Sequence, residues 1–424
     1  MNDLISTISG SYINDAALSN DINNNSKLRF LDLFCFLFFL HIVIPPAGDV
    51  LTRFGVQWAR HAFKIPNICT LALCVIFFIS ENKKGKKFFI ESSLFLLFLI
   101  PSIVIGLYEN GLNQSMLSHL YIAIMPFFAM PLGYDLARKY GNNLSIRMGK
   151  AVMSSFVFLF VVILFYFFLY NIGIVKRLGF SAPIVMISPF FIIYKRYTLF
   201  IVSIILTILT GKRIAILLIF LQVFICFAPV LRSPTIKQVF SFFSFFVVLI
   251  AIIIGINAFS PDIFDRFGSI ERINFSNADS IGVATSGRSN EILSLIDHLN
   301  RDKEKWILGG GIGEIYDYVN PLNNTTELRH LSHLSFLAYT LIFGFLFSFL
   351  LYIDLFIIFI KNLFALGDNF IFVIFCMYLL SSFFGAAMCV DPFFWIFLGS
   401  VKFFAKKSIR SCPIRHGCVC GDGA

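Results

Sequence analysis

The stretch AVMSSFVFLFVVILFYFFLYN, Ala151–Asn171, decides the fold class: its residues include no Asp, Glu, Lys or Arg. About 20 such residues in a helix, rising ~1.5 Å each, match the ~30 Å hydrocarbon core of a bilayer. A transmembrane β-strand would instead read as an alternating segment of about ten residues. Similar apolar runs recur at 30–46, 65–80, 88–107, 116–134, 179–194, 197–210, 214–231, 239–259, 334–360, 370–390 and 392–404. The sequence therefore predicts an all-α polytopic membrane protein with about twelve transmembrane helices.

Composition agrees. The 424 residues are 58% hydrophobic and 14% charged, with a mean hydropathy of +0.83. Soluble domains carry roughly 25% charged residues, so this chain has too few to cover a water-facing surface. That excludes an ordinary cytosolic enzyme, a disordered chain and a nucleic-acid-binding domain. The net charge of +10 fits basic loops on the cytoplasmic face.

Counting orients the chain. With the N-terminus inside, the inner segments hold 20 Lys and Arg, the short outer loops 7, and the long stretch 260–333 the other 7. KKGKK at 83–87 is the strongest inner marker. The expected organisation is a cytoplasmic tail 1–29, helices one to nine over 30–259 and a periplasmic loop 260–333. Helices ten to twelve follow over 334–404, then a cytoplasmic tail 405–424. Asp32, Glu91 and Asp354 lie in or near spans and suggest no relay. The tail CPIRHGCVC matches no zinc spacing, so it reads as solvated.

The loop 260–333 is unusually long, and long loops are commonly functional. Within SNEILSLIDHLNRDKEKW, Ile292, Leu295, Ile296 and Leu299 recur at helical spacing, which predicts a short amphipathic helix. Ser286 or Ser289 can cap it, with Glu291 early in its first turn.

Three places on the outer side carry chemistry. TGKR at 210–213 sets Lys212 and Arg213 near a helix start, where an anion is favoured; snorkelling anchors are the plainer reading. TSGRSNEIL sets Arg288 at the start of the amphipathic helix, where a solvated surface arginine is the plainer reading. The third, WILGGGIGEIYDYVN, precedes RHLSHLSFL, which carries His330 and His333. Its glycines at 309, 310, 311 and 313 permit tight turns and close backbone approach. A histidine there can act as a general base. Arg53, Arg60, Lys64, Lys176 and Arg177 fall on the same outer face, as guides for an anionic substrate or as membrane-surface anchors.

In this order, TSGR (285–288), ILGGGIG (307–313) and SHLSFL (332–337) with Gly344 beyond resemble the O-antigen polymerase and ligase superfamily. The motif-level likeness spans 197–360, and the topology-level likeness the whole chain. The chain has His333-Leu334 where members often have His-Asn, and Ile342 where an acidic residue is common. The resemblance implies a metal-independent, inverting glycosyltransferase of the inner membrane, without a cofactor. Its substrate would be undecaprenyl-diphosphate-linked oligosaccharide, and a separate chain-length regulator is an implied partner. Arg213 and Arg288 would hold the diphosphate and His333 would be the base. Lys212, His330, Arg53, Arg60 and Arg177 are candidate binding residues. Polymerase is the leading expectation; a ligase to lipid A-core and a polysaccharide flippase are the alternatives.

Overall fold

The computed structural model describes residues 25–62, 64–80, 90–141, 143–175, 183–210, 212–232, 288–320, 325–383 and 387–411, with isolated positions between 235 and 254. The run at 239–259 lies largely outside the described residues, as do 255–287, Lys176, Arg177, the cysteines of the C-terminal tail, and the side chains of Arg60 and Arg213.

The chain is overwhelmingly helical. The helices are α1 (Asn25–Arg53), α2 (Lys64–Ser80), α3 (Ile90–Glu109), α4 (Gln114–Tyr140), α5 (Asn143–Asn171), α6 (Ile184–Ile187), α7 (Pro189–Ile193), α8 (Tyr197–Leu209) and α9 (Arg213–Phe227). They continue with α10 (Arg288–Arg301), α11 (Glu304–Leu308), α12 (Ser335–Phe343), α13 (Phe345–Leu366), α14 (Phe370–Ser381), α15 (Ala387–Val390) and α16 (Pro392–Ser411). Among the described residues, five are long and apolar enough to cross a bilayer: α1 from Phe30, α3, α4, α5 and α13. Several shorter apolar helices, including α2, α8 and α14, accompany them.

The apolar run at 334–360 is two helices. Gly344, at φ +89°, separates the nine-residue α12 from α13. A Cβ there would lie 2.0 Å from the Ile307 carbonyl oxygen. Hydropathy gives no sign of the break, because both flanks are apolar. The final run extends to Ser411 in α16. This helix crosses α4 through small residues. A Cβ on Gly133 would sit 1.8 Å from the Ile396 oxygen, and one on Gly399 2.1 Å from the Met130 oxygen. Ser400 Oγ donates to the Gly133 carbonyl at 2.8 Å across the same crossing.

The core is rich in aromatic rings among its aliphatic side chains. The buried Phe95 ring meets Tyr339, Phe343, Phe347 and Trp395, each at a steep interplanar angle, the edge-to-face geometry that ring quadrupoles favour. Charged groups also enter the bundle. Lys402 Nζ lies 2.5 Å from the fully buried Glu91 carboxylate. Elsewhere His41 Nε2 lies 2.9 Å from Asp391 while its Nδ1 lies 3.1 Å from Asn67 Oδ1.

The predicted amphipathic helix forms as α10, with Leu295 and Leu299 buried and Ile292 and Ile296 half-buried. Its apolar stripe packs with Tyr316, Tyr318 and Leu341 into a small second core. The tyrosines come from an antiparallel hairpin, β1 (Tyr316–Asn320) and β2 (Thr325–Arg329), paired in register Tyr316 with Arg329 and Tyr318 with Glu327. Sequence reading did not anticipate this hairpin.

Candidate functional site

A glycine seam anchors the loop to the bundle. Gly309, Gly311 and Gly313 have φ of +77°, +79° and +91°, a region that L side chains rarely enter. A Cβ on Gly311 would stand 2.5 Å from the Gly106 nitrogen of α3. With no side chain in the way, Ile312 N–H donates to the Ser102 carbonyl at 2.9 Å and Gly310 N–H to the Leu341 carbonyl at 2.8 Å. Asn110 and Asn113 donate to the Gly310 and Gly313 carbonyls, each at 3.0 Å. The expected close backbone approach is thus observed, and its partners are α3 and α12.

His119 of α4 completes the seam. Its Nδ1 accepts from Gly313 N–H at 2.9 Å, and its Nε2 lies 2.6 Å from the His330 carbonyl oxygen. A carbonyl only accepts, so these contacts assign the proton to Nε2. Glu314, directly after the turn, is buried and ties α10 and α11 down. His298 Nε2 reaches it at 2.5 Å and Lys305 Nζ at 2.9 Å, and Lys305 also reaches Glu109 at 3.2 Å. Burial works to raise the Glu314 carboxyl, but the bonds from His298 and Lys305 outweigh it and hold the group below the ordinary value.

Beside this anchor, one buried carboxylate gathers the groups of interest. Glu291 of α10 is 1% exposed. His333 N–H donates to its Oε1 at 2.9 Å, and His333 Nδ1 lies 3.0 Å from Oε1 and 3.1 Å from Oε2. The Tyr316 hydroxyl donates to Oε1 at 3.1 Å. Arg288 and Arg329 stand farther off, at 3.6 and 3.8 Å. Burial pushes the Glu291 carboxyl up, yet hydrogen bonds from His333 and the charge of Arg288 pull it below its usual value. Burial lowers the Arg288 pKa, with the Glu291 charge opposing that shift. Burial and the Glu291 charge raise the Tyr316 phenol.

The arginines and the histidine remain open to the surroundings. Arg288, Arg329 and His333 keep 36%, 24% and 51% side-chain exposure while the carboxylate between them keeps 1%. The Arg329 guanidinium lies over the Tyr318 ring, 3.6 Å from its centroid, and pairs with Glu327 at 3.0 Å. Two guanidinium forks beside a half-exposed imidazole suit an anionic ligand with a hydroxyl nearby.

The residues singled out in the sequence divide as follows. Arg288 and His333 come together through Glu291. His330 stands three residues before His333; burial and the charge of Lys64 lower its pKa. Lys212 is exposed just before α9, which Arg213 opens. Arg53 ends α1 with its guanidinium 5.1 Å from the Tyr166 ring centroid. It lines a pocket of about 200 Å³ with Phe54, Ile174 and Val175, which includes none of the Glu291-centred residues. Arg60 lies in a short 3-10 helix, Gln57–His61. Glu291, Arg329, Tyr316 and His119 were not anticipated. For Glu291 a signal existed: residues 291, 295 and 299 share one helix face, so an acid stands in register with the apolar stripe.

Comparison with protein-family models, with curated proteins and with solved structures finds no match to this chain.

Proposed function

We propose that the chain is an O-antigen polymerase. In this reading it is an inverting, metal-independent glycosyltransferase that joins undecaprenyl-diphosphate-linked repeat units at the periplasmic face of the inner membrane. About twelve spans and cytoplasmic termini belong to the same reading. The observation that carries it is the convergence of Arg288 and His333, from separate parts of the loop, on the buried Glu291 carboxylate.

The chemistry follows from that arrangement. The acceptor sugar hydroxyl gives its proton to His333 as its oxygen attacks the anomeric carbon of the donor. The bond from that carbon to the diphosphate oxygen breaks, and its electron pair leaves with the diphosphate. Arg288, with Arg213 and Arg329 as further cations, meets the growing negative charge by charge-assisted hydrogen bonds. Lys212, His330, Arg53, Arg60 and Arg177 are then candidates for guiding the lipid-linked substrate.

The test is a lipopolysaccharide gel from a strain lacking the gene, complemented with wild type, Arg288→Ala or His333→Ala. Core bearing a single repeat unit in the deletion and in both variants is the expected result. Bare core with long polymer left on the carrier lipid would mean a ligase. Bare core without periplasmic polymer would mean a flippase, a reading that the helix break at Gly344 and the charges inside the bundle would suit.

A further inference from the structure

The chemistry of this inference rests on the glycosyltransferase reading; its geometry does not. Glu291 is acceptor to three donors through one oxygen: His333 N–H at 2.9 Å, His333 Nδ1 at 3.0 Å and the Tyr316 hydroxyl at 3.1 Å. An ionised carboxylate can only accept, so the proton between it and the ring belongs to Nδ1. A neutral imidazole has one N–H. With that proton committed to Glu291, the lone pair is on Nε2, across the ring, in a side chain that is 51% exposed.

We infer that Glu291 is the positioning residue of this site: it holds His333 as the Nδ1–H tautomer and so presents Nε2 as the proton acceptor. The charged and titratable groups facing the pair are Arg288 from α10, Arg329 from β2, and Tyr316 and Tyr318 from β1. Among the described residues none of them bonds the His333 ring, so Glu291 is its orienting partner.

A carboxylate serves better here than a neutral acceptor. When the acceptor hydroxyl transfers its proton to Nε2, the ring becomes an imidazolium with Nδ1–H still on Glu291. The ion pair between them exists only after proton transfer begins, so it stabilises the transition state more than the ground state. Glu291 stays ionised throughout. The new glycosidic bond takes the hydroxyl oxygen's electrons, and the old anomeric bond's electrons leave with the diphosphate.

The experiment uses the full chain in lipid nanodiscs with ¹⁵N-labelled histidine, the His333 signals being identified by their loss in His333→Ala. Near pH 8 the wild type is expected to carry its proton on Nδ1, and Glu291→Ala to move it to Nε2. In Glu291→Gln, which keeps the shape and an accepting oxygen, kcat for transfer from a lipid diphosphate is expected to fall about 10²-fold. The KM should stay within about twofold, because no substrate contact is removed. A wild-type His333 protonated on Nε2 overturns the inference, whatever the variants do. So does a Glu291→Gln enzyme with unchanged kcat. Tyr316→Phe, which removes one bond to the carboxylate, is expected to lower kcat by less than Glu291→Gln. The expected tautomer in a protein that transfers no sugar from lipid diphosphate would support the Glu291–His333 pairing and overturn the substrate reading.

Discussion

Arg288 shares the Glu291 carboxylate with Arg329 and with the His333 Nδ1–H, so that carboxylate is not a counter-ion for Arg288 alone. A guanidinium at 3.6 Å from a carboxylate is beyond hydrogen-bond length and leaves its fork available. Arg288→Lys is therefore expected to lose most long-chain polymer, since an ammonium gives a point charge and not a paired contact. Arg288→Ala should cost roughly 10²–10³ in kcat, the range for one transition-state donor. A full-length ladder from the lysine variant on a silver-stained gel would reduce the arginine's role to simple charge. The residues that the sequence exposed were those with an obvious feature: an arginine behind Ser-Gly, a histidine before an apolar run. Glu291 escaped because its place in the first helical turn already had a sufficient explanation. Arg329 escaped because its stacking on Tyr318 depends on a hairpin whose register no local residue announces.

At the scale of elements, the glycine seam is the most demanding feature. Gly311→Ala combines a positive φ with a backbone clash on α3, and the conformational part alone costs about 1–2 kcal/mol. The variant is expected to insert at normal levels and to lose activity, with faster proteolytic cleavage inside 288–333. Unchanged protease resistance would mean that the seam tolerates a side chain. Acid should open the same region. Glu291 and Glu314 both sit below the ordinary carboxyl value of 4.5. Their ion pairs therefore contribute fully above that pH and are lost as pH falls through the depressed folded values. Amide exchange in α10 and the hairpin is expected to rise as the pH falls below 4.5, while exchange in α4 and α5 stays slow. Helices with one apolar stripe or one unbroken apolar run were legible here, as α10 and α5 were. The break between α12 and α13 was not, because Gly344 is a single residue among apolar neighbours, and its need arises from Ile307 in a distant segment.

The molecule as a whole is an aromatic bundle held at a few points by buried charge. Removing one partner of such a pair leaves the other stranded in a low-dielectric interior, at a cost of about 3–5 kcal/mol. Lys402→Met is expected to lower thermal stability in detergent by that mechanism. Glu91→Gln in the same chain should recover much of the loss. Additive losses in the double variant would show that the two side chains do not act as a pair. Sequence reading saw Glu91 but not its partner, since 311 positions separate the two and no local pattern connects them. Activity of the purified protein is expected to persist in EDTA, because arginines would carry the diphosphate charge; inhibition reversed by Mg²⁺ would argue for a metal-bound donor.

The seam also constrains how the protein is made. Asn110 and Asn113 bond to glycine carbonyls 200 positions later in the chain, and α12, which closes the other side of the seam, is synthesised later still. Contacts of such separation form late, after the intervening loop entropy has been overcome. During synthesis α3 must therefore stand in the membrane with Ser102 and Gly106 uncovered until the last third of the chain arrives. Assembly of the seam is in this sense a checkpoint on synthesis past residue 341, since the Gly310 N–H finds its Leu341 acceptor only once α12 has emerged.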